Sequence, residues 1–307
     1  MKLRRLGTAV AGLGAAAAVA DRLLRDAAGE LEPALDATER TYRWRGMDVA
    51  YAEAGDPDDP DLLLLHGINA AGSSGEFREI FGTLAEIHHV VAPDLPGFGR
   101  SDRPPLRYSA ALYEDFVADF LGEFDAPAVV ASSLSGAYVA RALNRGADAD
   151  SLVLICPTTV AGPDPPKAWL RELLRAPVVG TALFDALVSR PSIRYFNADH
   201  AYADPDAASA AWTDYQWRTT HQENARFAVA SFVAGHCNST IDLGAALREA
   251  EVPVTIVWGR DATLPPLSRG RDLADEADAR LVVFDHAKLL PHVEYPAAFV
   301  ETVRGAI

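Results

Sequence analysis

Hydrophobic positions change period several times along the chain, and each change marks an element. Residues 41–55, TYRWRGMDVAYAEAG, alternate apolar and polar side chains around Arg45-Gly46, which predicts a β-hairpin turning at that pair. The DPDDPD that follows is turn chemistry. Beyond it the apolar residues come in short continuous runs: LLLLH (62–66), VVAPD (90–94), AVVAS (128–132), SLVLI (151–155), VTIVWG (254–259) and LVVFD (281–285). Runs this short, without alternation, suit strands covered on both faces. Between them the period becomes helical. In ALYEDFVADFLGEF, Leu112, Phe116, Phe120 and Phe124 recur every fourth residue with Tyr113, Val117 and Leu121 beside them, one stripe to lie on a sheet. Alternating strand and helix predicts an α/β fold with a doubly wound, mostly parallel sheet.

One interval breaks the rhythm. Residues 158–250 hold no strand-like run, only Pro-rich turns and helix-like segments such as KAWLRELLRA and NARFAVASFVAG. That is too long for a loop. It predicts a helical cap inserted over the C-terminal edge of the sheet, where α/β folds place their sites. The chain then divides into an N-terminal segment (1–40), a core (41–157 and 251–307) and the cap (158–250).

The first residues, MKLRRLGTAVAGLGAAAAVADRLLRD, have a basic start, an Ala/Gly-rich run from Leu6 to Ala20, and Ala18-Val19-Ala20 at its end. This is the layout of an export signal over residues 1–20, and Arg4-Arg5 is similar to a twin-arginine signal. The run is shorter than the roughly 20 residues of a membrane span. A retained helix lying on a membrane, or packed on a soluble body, fits equally. Location therefore stays open between cytoplasmic, membrane-associated and exported.

Composition narrows the function classes. A chain of 307 residues with 49% hydrophobic content can bury a large core. The net charge of −15 excludes a nucleic-acid partner, because phosphate binding needs clustered cations. Lysine occurs only at Lys2, Lys167 and Lys288, so most positive charge is arginine. Many carboxylates and few lysines suit a protein adapted to high salt, where ions screen their repulsion. Cys156 and Cys237 make no disulfide framework, and no CxxC or clustered His/Cys spacing predicts a metal site. No cofactor is expected.

The chemistry concentrates in VVASSLSGAYVARAL. A strand ends at Ser132, a tight turn follows, and a helix starts near Ser135-Gly136. Ser133 has small residues two positions away on each side, Ala131 and Ser135. A serine on a strained strand-to-helix turn needs such neighbours, since sheet and backbone crowd it there. Upstream, LLLLHGINAAGS puts His66-Gly67 at a strand end, and VVAPDLPGFGRSDRP runs a strand into a glycine-rich turn. Together these stretches resemble the α/β-hydrolase fold superfamily, over roughly residue 42 to the C-terminus. The resemblance implies Ser133 as nucleophile, an oxyanion hole from the backbone N–H groups of Ile68 and Leu134, and a bracing role for His66.

The rest of the implied triad departs from the pattern. The family's acid follows a strand in W-G-x-x-D-x-x-x-P; here WGRDATLPP places Ala262 at the acid, with Asp261 one residue early. The family's G-H-x-P-H-x-E-x-P becomes KLLPHVEYP, with Leu289 at the catalytic histidine. Leucine accepts no proton. Asp261 is either a displaced acid or a surface carboxylate. His292, on the same loop, is the leading substitute base, with His286, His221 and His236 behind it; His88 and His89 read as structural. Two functions stand. One is an esterase-like serine hydrolase of a small apolar ester or acyl compound with a nonstandard triad of Ser133, Asp261 and His292. The cap aromatics Trp169, Phe184, Tyr195, Phe196, Trp212, Tyr215, Trp217, Phe227 and Phe232 suggest that apolar substrate. The other is a degenerate relative that binds an apolar ligand or protein partner without turnover. A third variant, Ser133 acting slowly without a base, lies between them.

Overall fold

The computed structural model describes residues 18–307. A helix over 18–28 (α1) precedes an eight-stranded sheet: β1 (Thr38–Trp44), β2 (Met47–Ala54), β3 (Asp61–Leu65), β4 (His89–Pro93), β5 (Ala128–Ser132), β6 (Ser151–Ile155), β7 (Val254–Gly259) and β8 (Arg280–Phe284). The spatial order is β1-β2-β4-β3-β5-β6-β7-β8. β1 and β2 form the expected hairpin, with Arg45 and Gly46 both at positive φ (44° and 85°) as a tight two-residue turn requires. β2 meets β4 antiparallel, and β3 to β8 run parallel.

Continuous apolar strands mean two buried faces, and the side chains sort by parity. Leu63, Leu65, Val129, Leu152 and Leu154 point into one core with α3 (Ala110–Leu121), α4 (Leu134–Leu143) and α11 (Leu267–Ala277). Leu62, Leu64, Val130, Val153 and Ile155 point into the other, against α2 (Phe81–Leu84) and the last helices, α12 (Pro291–Glu294) and α13 (Pro296–Arg304). The predicted stripe on α3 is buried through Phe116 and Phe120, and Ser109 caps that helix by accepting the Leu112 N–H.

Between β6 and β7 lie α5 (Ala168–Arg175), α6 (Val179–Leu187), α7 (Arg190–Phe196), α8 (Ala210–Thr220), α9 (Arg226–Val233) and α10 (Leu243–Glu249). α10 packs on α4 and α11 and buries Leu243, Ala246 and Leu247 in their core. It therefore packs as a layer beside the sheet. Most of the segment read as an export signal or membrane-lying helix lies outside the described residues. No described helix is long and apolar enough to cross a membrane, and no described His/Cys/Asp/Glu group could hold a metal ion.

Candidate active site

Ser133 sits between β5 and α4 with φ 56° and ψ −126°, a conformation costly for any residue with a Cβ. Three backbone bonds hold it there. Its N–H donates to Ile155 O (2.9 Å), and its carbonyl accepts from Gly136 N (3.2 Å) and Thr158 N (3.3 Å). The small neighbours are explained by contact: a Cβ on Gly136 would lie 3.1 Å from Pro157, and the Ser135 hydroxyl donates to His66 O at 2.6 Å. Sequence spacing alone located this turn.

The loop after β3 is fixed with similar redundancy. Leu95 N–H donates to His66 Nε2 (3.0 Å), so the ring proton is on Nδ1, which donates to Gly67 O (2.9 Å). Burial holds the His66 pKa low and the ring neutral, against the pull of Asp94. The bracing role expected of His66 is what its contacts provide. The glycine-rich turn closes around its own acid: Asp94 accepts from Ser74 N (2.6 Å) and Arg100 N (2.7 Å), and Gly99, at φ 50°, lies where a Cβ would collide with that carboxylate. Ile68 and Leu134 are buried, and neither N–H donates to another described group. Leu134 is the first residue of α4, where helices leave N–H groups unpaired and favour negative charge.

The acid and base side is different. Asp261 is exposed, and its N–H donates to Ala287 O (2.9 Å); Ala262, where the resemblance would place the acid, is buried. Leu289 is half-buried against the main core cluster. Its loop is tied to the cap by Lys288 Nζ, which donates to Ala198 O (2.8 Å) and Asp199 O (3.0 Å). The same loop lies so close to β7 that a Cβ on Gly259 would sit 2.0 Å from Lys288 O.

His292 is wholly buried in α12 between the rings of Phe77 and Phe299, at centroid distances of 5.6 and 5.5 Å. Burial, then nearby Arg78, pushes its pKa down to about 3. The structure therefore does not form the expected Asp261–His292 pair, because one residue faces solvent and the other faces an aromatic core. Nor does His292, or any of the other seven histidines, hydrogen-bond Ser133.

A buried carboxyl escaped the sequence reading. Glu76, in a 3-10 turn over Ser74–Phe77, accepts the Gly67 N–H through Oε2 (3.0 Å). Its Oε1 has no hydrogen-bond partner and lies 3.8 Å from His292 Nε2; both His292 ring nitrogens are likewise unpartnered. Burial holds the Glu76 carboxyl above its ordinary range, while the Ser132 hydroxyl, Gly67 N–H and Arg78 oppose that. Nothing in GEFREIFG distinguishes this glutamate from a solvent-facing one.

Glu76 also borders a cavity of about 30 Å³ under the cap, with Ser73, Arg78, Tyr202, Trp212 and Leu290. Arg78 stacks on Trp212, 4.0 Å from its ring centroid. Ser73, Glu76, Tyr202 and Trp212 each carry a buried polar atom without a protein partner, which suits a water or a small polar group. Of the cap aromatics expected around an apolar substrate, Trp212 alone lines this cavity; Phe184 and Phe227 pack into the core instead, and Trp169, Tyr195 and Phe196 are exposed.

A strained serine between strand and helix, a braced His-Gly loop and an inserted helical cap define a class, and comparison with known proteins identifies it. Residues 62–302 match the alpha/beta hydrolase family, and the chain belongs to that family. Among curated relatives, an uncharacterised hydrolase of Saccharomyces cerevisiae is 48% identical over 59 residues, 19% of this chain and 20% of that protein. The first such relatives are matched over only a fifth to a third of their own length. A 2-hydroxy-6-oxo-6-phenylhexa-2,4-dienoate hydrolase of Burkholderia cepacia is 26% identical over 253 residues, 78% of this chain and 84% of that protein. The solved structure of the enzyme of the same name from Rhodococcus sp. strain RHA1 superposes with a TM-score of 0.72 at 21% identity, covering 88% of this chain and 98% of that one.

Proposed function

We propose that the chain is a slow serine hydrolase of small, largely apolar esters or related acyl compounds, with Ser133 as nucleophile. The observation that carries this reading is the Ser133 backbone: a non-glycine residue held at φ 56° by three backbone bonds at the head of α4. Strain of this kind persists only where the surroundings enforce it, and the N–H of the next residue, Leu134, has no described partner, which supports the reading. Ser133 Oγ attacks the ester carbonyl as its proton passes to water, with the charge on the carbonyl oxygen met by the Ile68 and Leu134 N–H groups. The adduct collapses, breaking the ester C–O bond and releasing the alcohol protonated by water, and a second water hydrolyses the acyl-serine to the acid and free Ser133. An oxyanion hole without a complete triad retains about 10³–10⁴-fold catalysis over water. Asp261 and His292 take no part, since they meet neither each other nor Ser133. Membership of a hydrolase family, with a relative named for hydrolysis across most of its length, adds support.

One observation favours the second reading, ligand binding without turnover: the acid and histidine positions are filled by Ala262 and Leu289, both packed into the core. A fluorophosphonate probe separates the two. Slow labelling of the wild type that vanishes in Ser133→Ala is the expected result. An absence of Ser133-dependent labelling sinks the hydrolase and leaves the binding protein.

A further inference from the structure

The cavity of about 30 Å³ under the cap is lined by polar groups that the chemistry at Ser133 leaves unused. Two of them are engaged elsewhere: the Gln216 amide pairs with Asn197 (2.7 and 3.3 Å), and Asn69 Oδ1 accepts the Ala71 N–H (2.9 Å). Four are not. Ser73 Oγ, Glu76 Oε1, the Tyr202 hydroxyl and Trp212 Nε1 have no partner, on residues that are at most 9% exposed. They sit together, since Arg78 and the Trp212 N–H are near enough to the Tyr202 phenol to oppose the rise that burial imposes on it. Buried polar groups left open on one cavity mark a place for a bound polar group.

The lining also decides which group fits. The volume holds about two water-sized groups, too little for a phosphate or a ring. An apolar group would leave all four orphans unpaired. An ammonium would meet the Arg78 guanidinium, and a carboxylate would face Glu76. A neutral hydroxyl both accepts, as Trp212 Nε1 requires, and donates, as the Glu76 carboxylate requires; the hydroxyls of Ser73 and Tyr202 can do either.

Glu76 ties this cavity to Ser133. Its Oε2 accepts the Gly67 N–H, and a Cβ placed on Gly67 would lie 3.5 Å from that oxygen and 3.3 Å from Ser133 Cβ. A molecule of a few carbons therefore spans both. We propose that the substrate is a short ester or acyl compound carrying a free hydroxyl, which this cavity seats while the carbonyl reaches Ser133. This substrate class rests on the serine-hydrolase reading, but occupancy of the cavity is measured apart from turnover.

The measurement is calorimetric titration of Ser133→Ala, which removes turnover, with matched esters. Methyl butyrate is set against methyl 3-hydroxybutyrate, and ethyl butyrate against 2-hydroxyethyl butyrate, so that the hydroxyl lies on the acyl side or the alcohol side. At least one hydroxylated ester should bind about tenfold more tightly than its partner, the worth of one buried hydrogen bond. In the same background Tyr202→Phe and Trp212→Phe each remove one donor, and each should bring that ratio toward one. Circular dichroism checks their folding; Tyr202→Phe, which loses a single oxygen, carries the test alone if Trp212→Phe does not fold. Equal binding within both pairs would overturn the proposal and leave the cavity to structural water. A preference that survives the variants would overturn it too, as would no binding of either hydroxylated ester. A hydroxyl preference in a chain whose Ser133 takes no fluorophosphonate would keep the cavity as a ligand site and sink the hydrolase, so the two readings fail separately.

Discussion

The two halves of the candidate site have been kept to different standards. Around Ser133, between β5 and α4 and in the 66–68 loop, hydrogen bonds fix the Ser133 N–H and carbonyl, the Ser135 hydroxyl and both nitrogens of the His66 ring. The N–H groups of Ile68 and Leu134 donate to no described group. After β7 and β8, where the resemblance would place an acid and a histidine, stand Ala262 and Leu289, and the loop is held by apolar packing and by Lys288 reaching to the cap. The Ser133 turn and the 66–68 loop are built into the sheet and helix geometry, so they do not depend on the side chains of the more distant loops.

Restoring the lost side should break this asymmetry most strongly. A Leu289→His and Ala262→Asp double variant puts both ionisable groups back at the family positions. Ester hydrolysis should rise by about 10²–10⁴-fold, the usual contribution of a positioned general base, and depend on Ser133. Unchanged turnover in a folded double variant would mean that the nucleophile side is not competent either.

A smaller effect concerns the buried His292. Its pKa of about 3 lies below the ordinary 6.5, so the unfolded chain takes up a proton that the folded one refuses. Its contribution is fully present above pH 6.5 and is lost as pH falls toward 3. Glu76, held above its ordinary 4.5, works in the opposite sense and offsets part of this loss at the acid end. His292→Leu removes two unpartnered nitrogens from an aromatic core. Urea unfolding at pH 7 should show a gain of about 1 kcal/mol, and the gap over wild type should widen as pH is lowered through 6 and 5. A loss of stability in His292→Leu would mean that the ring makes a bond not seen here.

The smallest effect sharpens the same comparison. Asp261→Asn changes an exposed side chain with no hydrogen-bonded partner, and should leave unfolding free energy within about 0.5 kcal/mol of wild type and labelling of Ser133 unaltered. A clear fall in labelling would give Asp261 back the acid role that its position in WGRDATLPP first suggested.

Most of the sheet was legible in the sequence because strands buried on both faces read as unbroken apolar runs; three of the six predicted runs match their strands end to end. The strand-to-helix turn at Ser133 was legible because such a turn demands small residues at fixed offsets. His292 was not, since the same PHVE letters serve a surface loop or a one-turn helix wedged between Phe77 and Phe299, and only packing decides. Glu76 was invisible because its burial is created by the crossing of the 66–78 loop with β5 and α12, residues far apart in the chain. The packing of α10 on α4 and α11 was not legible, because its helical pattern gives no sign of which layer it joins.

The central claim, a built nucleophile site without an imidazole base, is tested most directly by the pH dependence of Ser133 labelling with a fluorophosphonate. The predicted rate climbs steadily with pH between 5 and 9, with no plateau near neutrality, and is absent in Ser133→Ala. A sigmoidal profile with a midpoint near the ordinary histidine pKa of about 6.5, abolished by replacing one histidine, would contradict it.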